Sequence, residues 1–224
     1  MKWNYLVHPS TIILLIVNLF GIYIILSENW DWNIVLLLYV AQSLIIGIFH
    51  FFKILRLENF STENFSREFG LKINGKSLNL NGLTKNQIKK QAGYNFLIGY
   101  LIFHLTYVFF IIFLSIFSEI RNDSNIMLTG LNIGINFPTS FFILIFVFFI
   151  NHFVSFLLFR VEQKNEVNLG KFLNQVFIRI VPVHIAIILG VFLFIQFGEV
   201  SYLLFIFLIL KTIIDILMHV MEHS

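Results

Sequence analysis

Hydrophobic side chains along this chain neither alternate nor return at every third or fourth position; they run on without a break. Apolar stretches of about 20 residues, the length a helix needs to cross roughly 30 Å of hydrocarbon, recur near residues 9–27, 33–55, 94–118, 138–159, 173–197 and 201–221. Short polar links join them, apart from one longer polar segment at 56–93. The pattern predicts an all-α fold: a polytopic transmembrane bundle of six helices in a single domain over residues 1–224. Within lipid, a helix satisfies every backbone group inside its own segment. The segment 56–93 has Asn-Gly turn signals at Asn74 and Asn81 and predicts a short helix begun by Thr84. It is too small for a domain of its own. The first stretch follows "MKWNYLVHP" and has no small-residue cleavage site after "LSENWDW", so it is expected to remain as a helix and not to act as a signal peptide.

Charge orients the bundle. Lys and Arg resist translocation and collect in cytoplasmic loops. With the N-terminus inside, the inner segments hold Lys2, then Lys53, Arg56, Arg67, Lys72, Lys76, Lys85, Lys89 and Lys90, then Arg160, Lys164 and Lys171. The outer loops hold Arg121 alone, among Glu28, Asp31, Glu119, Asp123 and Glu199. Both termini are therefore expected in the cytoplasm, with the chain in the plasma (inner) membrane.

Composition changes this picture only by exclusion. Hydrophobic residues make up 58% and charged residues 12%, where a soluble surface needs about a quarter charged, so the lipid bilayer is the expected partner. The net charge of +3 follows from the inner loops and gives no reason to invoke nucleic acid. The chain has no cysteine, which removes disulfides, thiolate metal ligands and thiol nucleophiles.

The candidate chemistry lies in polar residues inside the apolar stretches, where each ionisable group is unfavourable by about 2.5–3.5 kcal/mol and asks for a partner or a task. His50, His104, His152 and His184 fall one each in the second to fifth stretches, and the last carries His219 and His223 in "KTIIDILMHVMEH". At about 100° per residue, Lys211, Asp215, His219, Glu222 and His223 lie on one side of the final helix. Tyr39, Gln42, Ser43, His50 and Lys53 form a similar stripe on the second, and Tyr100, His104 and Tyr107 share a face of the third. From distance along each helix, His50, His152, Asp215 and His219 belong to the cytoplasmic half, with His104 and His184 nearer the midplane.

Histidine and carboxylate at i, i+4 and i+8 let one helix offer several ligands to a metal. His50, His152, Asp215, His219 and His223 are the candidate ligand set, with Glu222 as candidate base and His104, His184, Lys211 and Arg179 as secondary members. Nitrogen and oxygen donors admit zinc, iron, manganese and copper, zinc being the first choice. The bland readings stand beside this one. A membrane histidine is more often a hydrogen-bond link, Lys211 with Asp215 is an ordinary i, i+4 pair, and Arg179 more often snorkels to lipid phosphate. Pro182 permits a kink near His184, while Asn18, Asn151 and Ser155 read as interhelical hydrogen-bond links.

The stretches "LLLYVAQSLIIGIFHFFKIL", "RIVPVHIAIILG" and "LKTIIDILMHVMEH" together resemble an uncharacterised prokaryotic family of polytopic membrane proteins, a domain of unknown function. That resemblance implies an integral membrane protein and carries no activity. The His-x-x-x-His of His219 and His223 is similar to an element of the membrane hydrolases grouped with alkaline ceramidases and adiponectin receptors, which implies intramembrane zinc. The distribution of histidines also resembles six-helix cytochromes of the b561 type, which implies haem pairs His50 with His152 and His104 with His184. Four functions follow: a metal-dependent membrane hydrolase acting on a lipid or small-molecule substrate, a proton or metal-cation transporter, a b-type haem electron carrier, and a structural or assembly subunit.

Overall fold

The computed structural model describes residues 9–62, 72–73, 76–77, 83–122, 136–162, 166–178, 180–181, 184–185 and 211–213. Helix α1 spans Pro9–Ser27 and opens on a proline, whose fixed φ suits the first helical position. It stops because Asn29 turns into the left-handed region at φ 50°, and the Trp30 N–H closes back on the Ile25 carbonyl at 3.1 Å. The chain then re-enters at once as α2, Trp32–Arg56.

Lys53 and Arg56 occupy the last turn of α2, where cations complement the helix dipole. Helix α3, Lys85–Asn122, is held at its start by a reciprocal cap. The Thr84 N–H donates to Gln87 Oε1 at 2.9 Å, and the Gln87 N–H donates to Thr84 Oγ1 at 3.3 Å. The short helix expected from Thr84 and the third apolar stretch are thus one continuous helix of 38 residues, roughly 57 Å long. Apolar patterning alone missed its first two turns, because "KNQIKK" is written for water.

Helix α4 covers Thr139–Glu162, and α5 covers Leu169–Ile178. Asn168 caps α5 by accepting the Lys171 N–H at 3.0 Å. Two small sheets lie outside the helices. β2 (Lys72–Ile73) pairs antiparallel with β3 (Lys76–Ser77) across the Asn74-Gly75 signal. β1 (Phe60–Ser61) pairs in parallel with β4 (Val167–Asn168), extended by Val167 N–H to the Asn59 carbonyl at 3.2 Å. That parallel pair follows α2 and α4 respectively, which run the same way and end at the same level.

Among the described residues three helices are long and apolar enough to cross a membrane: Trp32–Arg56, Lys85–Phe113 and Thr139–Leu157. Residues Leu15–Ser27 form a shorter apolar helix, and 211–213 are helical within the last expected stretch. Helix α2 is the hub, packed against α3, α4 and α5, while α1 lies on α4. Its approach to α3 is close because Gly47 has no side chain: a Cβ there would fall 2.2 Å from Tyr100 Cε1. Large apolar side chains point outward elsewhere, among them Leu105, Phe109, Phe142 and Phe146, as helices facing lipid require.

At the end of the bundle near Trp30, Glu28 Oε2 accepts from Trp30 Nε1 at 2.9 Å and from the Ser140 hydroxyl, tying the α1–α2 corner to the start of α4. The Ser140 bond, then the Trp30 bond, hold the Glu28 carboxyl below its ordinary value of 4.5.

Candidate functional site

The polar stripe expected on α2 faces the interior: Tyr39, Gln42, Ser43, His50 and Lys53 are all buried, as are Tyr100, His104 and Tyr107 on α3. Helix α2 reaches this arrangement by periodicity. Residues four and seven apart stack on one side, and that side meets α3, α4 and α5.

The polar groups of α2 and α3 and their partners divide into three clusters. The first joins α2 to α3 and to the helical turn at His184. Tyr100 donates its hydroxyl to the Ser43 carbonyl at 2.9 Å, and the Ser43 and Tyr100 hydroxyls are 2.7 Å apart. One turn on, His104 Nδ1 lies 2.7 Å from the Tyr100 carbonyl, and the two rings are 4.3 Å apart. A carbonyl only accepts, so Nδ1 carries the proton and Nε2 presents a lone pair. His104 is 3% exposed, and its Nε2 is buried without a hydrogen-bond partner. A further turn brings the Tyr107 hydroxyl onto His184 Nδ1, with Nε2 of the same ring 3.4 Å from that oxygen. His184 is placed by its own N–H bonding the Ile180 carbonyl at 3.2 Å.

The second cluster surrounds Lys211, buried at 6% exposure. Its ammonium donates to Asn18 Oδ1 at 2.8 Å and lies over the rings of Tyr39, at 4.5 Å, and Phe148, at 5.5 Å. Asn18 therefore acts as an interhelical link, and its partner is a cation 193 residues away.

The third cluster is at the end where Lys53 and Arg56 lie. His50 stacks on Phe172 of α5 with centroids 4.4 Å apart and meets Phe96 of α3 at 5.3 Å. Lys53 donates to Ser155 of α4 at 3.2 Å and lies over Phe159, while Arg56 covers Phe156 with 4.0 Å to the ring centre.

Of the residues singled out from the sequence, the structure therefore brings together His104, Tyr107 and His184, and sets Lys211 beside Asn18 and Tyr39. His50 stands among Phe96 and Phe172, and His152 on α4 is half-buried. Asp215, His219, Glu222, His223, Arg179 and Pro182 lie outside the described residues, as does His8. Among the described residues no group of three or more His, Asp or Glu side chains gathers in a metal-ligating arrangement.

Two features escaped the sequence reading. Gln42 is 2% exposed, and neither end of its amide finds a hydrogen bond. Its position on the α2 stripe was visible, but an amide in a membrane helix ordinarily reads as a satisfied link. The pairing of Lys211 with Asn18 was also missed. Depth was the available signal, since both fall near the middle of their stretches, whereas adjacency on one helix had pointed to Asp215.

A family model matches residues 4–224. The chain belongs to DUF6498, a family of unknown function. No curated protein matches it, and no solved structure matches it. The DUF6498 match takes in every apolar stretch and all three polar clusters, so the interior described above belongs wholly to the family's extent. The likenesses to zinc hydrolases and to b561-type cytochromes rest on histidine positions alone.

Proposed function

We propose that this chain is an integral membrane protein that crosses the bilayer six times, with both termini in the cytoplasm, and that it holds a divalent metal ion, zinc above others, at the inner end of its polar interior. The ligand set of this reading is His50 and His152 together with Asp215, His219 and His223 of the final span. What supports it is the register of α2 against α4. The Lys53–Ser155 bond of 3.2 Å joins two helices that run the same way, and His50 and His152 each lie three residues before it. Stepping back three residues moves both along their axes by about 4.5 Å, so the two imidazoles share one depth. His50 is buried in the bundle interior, and a chain without thiolates leaves nitrogen and oxygen donors of the kind zinc accepts.

On this reading Glu222 is the base beside a metal-activated water, and the protein is a metal-dependent hydrolase whose lipid or amide substrate arrives from the bilayer. Elemental analysis of the full chain, purified untagged in detergent, tests the metal. Stoichiometric zinc is expected in the parent and its loss in His50→Ala, His152→Ala and His219→Ala, with monodispersity checked by size exclusion. A metal-free parent, or three variants that keep their metal, refutes the reading.

A further inference from the structure

We propose that the seam between α2 and α4, at the end where Arg56 lies, binds an anionic phospholipid, with the lipid phosphate on Arg56 and an acyl chain along the phenylalanines below it. The inference needs the bilayer and not the metal ion. From Trp32 to Arg56 the axis of α2 rises about 36 Å, against roughly 30 Å of hydrocarbon and 40–45 Å with both headgroup layers. A centred α2 therefore sets Arg56 just outside the hydrocarbon, at the level of lipid phosphates. Arg56 is exposed, and its guanidinium lies over the ring of Phe156 on α4 with 4.0 Å to the ring centre. That stacking uses the flat face of the guanidinium and leaves its edge of N–H donors open, the geometry in which arginine holds a phosphate through paired bonds.

Among the described residues no carboxylate pairs with Arg56. Lys53, one turn earlier, donates inward to Ser155 at 3.2 Å and adds a second positive charge to the same seam. No Asp or Glu occurs in α2, and α4 has none before Glu162. Charge complementarity at this end therefore selects an anionic partner. The apolar half of the site lies directly beneath. Phe149 and Phe153 are exposed and pack on Phe49, with ring centroids 5.3 Å and 6.1 Å from it, and Phe49 in turn meets Phe156 at 5.7 Å. Phe52, also exposed, meets Phe156 at 6.1 Å, so the strip is continuous with the ring that carries Arg56. From Phe156 to Phe149 it runs about 10 Å into the membrane, two thirds of the roughly 15 Å that the acyl chains of one leaflet occupy. Free phosphate has no use for such a strip. A zwitterionic lipid brings its phosphate with a cation attached, which this end repels.

Native mass spectrometry of the full chain in detergent, equilibrated with phosphatidylglycerol or with phosphatidylcholine of the same acyl chains, tests the site. The parent should retain phosphatidylglycerol in preference, and an excess of inorganic phosphate should not displace it. Arg56→Gln should lower that retention about 5- to 30-fold, the effect of removing a charged hydrogen-bonding contact. Phe156→Leu keeps the charge and the apolar bulk but removes the ring under the guanidinium, so a smaller loss is expected. Lys90→Ala removes another exposed cation at the same end, on α3, and should leave retention unchanged. Because Arg56 is exposed, Arg56→Gln should melt as the parent does in lipid-free detergent, which separates loss of lipid from loss of fold. Equal retention of the two lipids by the parent, displacement by phosphate, full retention in Arg56→Gln, or a loss in Lys90→Ala as large as that in Arg56→Gln overturns the proposal.

Discussion

Helices α2 and α4 are nearly equal in length, 25 and 24 residues, and both are apolar enough to cross a bilayer. Yet 72% of the apolar window of α2 is buried inside the protein, against 22% for α4. Hydrophobicity does not decide which helix is central, because a phenylalanine gains nothing by leaving lipid for protein. Helix α4 accordingly turns Phe142, Phe146 and Phe149 outward, while α2 carries Gln42, Ser43, Gly47, His50 and Lys53 inward. Small and polar residues bury a membrane helix. They let backbones approach, and they need partners that lipid cannot supply.

Gly47→Ala strikes that difference hardest. The new methyl would meet Tyr100 at three ring atoms within 3 Å, and Tyr100 cannot swing away without breaking its bonds to Ser43. Overpacking of this kind costs about 1–3 kcal/mol, so the melting temperature in detergent should fall sharply. A variant that melts like the parent would mean α2 and α3 do not meet at this level.

Tyr100→Phe keeps the ring and removes both hydroxyl contacts. Interhelical hydrogen bonds in bilayers average only about 0.6 kcal/mol, so a loss well below that of Gly47→Ala is expected by the same melt. A larger loss would mean that the Ser43–Tyr100 pair, more than the close backbone contact, holds the hub. Gly99→Ala is the control on α3. Nothing lies within 4 Å of the added methyl, and the change should stay within about 0.5 kcal/mol of neutral.

The smallest effect is expected at the edge of the comparison, where Glu28 ties the α1–α2 corner to α4. Its carboxyl titrates lower in the folded state than its ordinary 4.5, so the link is fully present above that value and is lost as pH falls through the depressed one. Trp30, which donates to this carboxylate, reports the loss: in a background with Trp3 and Trp32 replaced by Phe, its emission should change on acidification below 4.5. Glu28→Gln should abolish that pH dependence. Persistence of the dependence in Glu28→Gln would place the titrating group elsewhere.

Much of this arrangement was legible beforehand, and for identifiable reasons. The stripe from Tyr39 to Lys53 follows from helical phase, and all five of its named polar residues are buried. The Thr84 cap and the Asn-Gly signal between the paired strands Lys72–Ile73 and Lys76–Ser77 are local features whose chemistry needs no distant partner. What could not be read was partnership. That Tyr107 would meet His184, or Lys211 meet Asn18, depends on which helices are neighbours and at what height. The start of α3 at the Thr84 cap was legible, but its continuity with the third apolar stretch was not, because the turns between them are written for water and a count of apolar residues does not join them.

Apolar runs, and the side on which the polar residues of α2 and α3 fall, are properties of a single helix, and the amino-acid order by itself determined them. Tertiary structure alone decided the centrality of α2, the tautomer forced on His104 by the Tyr100 carbonyl, and the meeting of the Tyr107 hydroxyl with His184. Those features need two backbones to come within contact distance. In lipid, that distance is set by where a glycine and a few polar groups face one another across helices far apart in the chain.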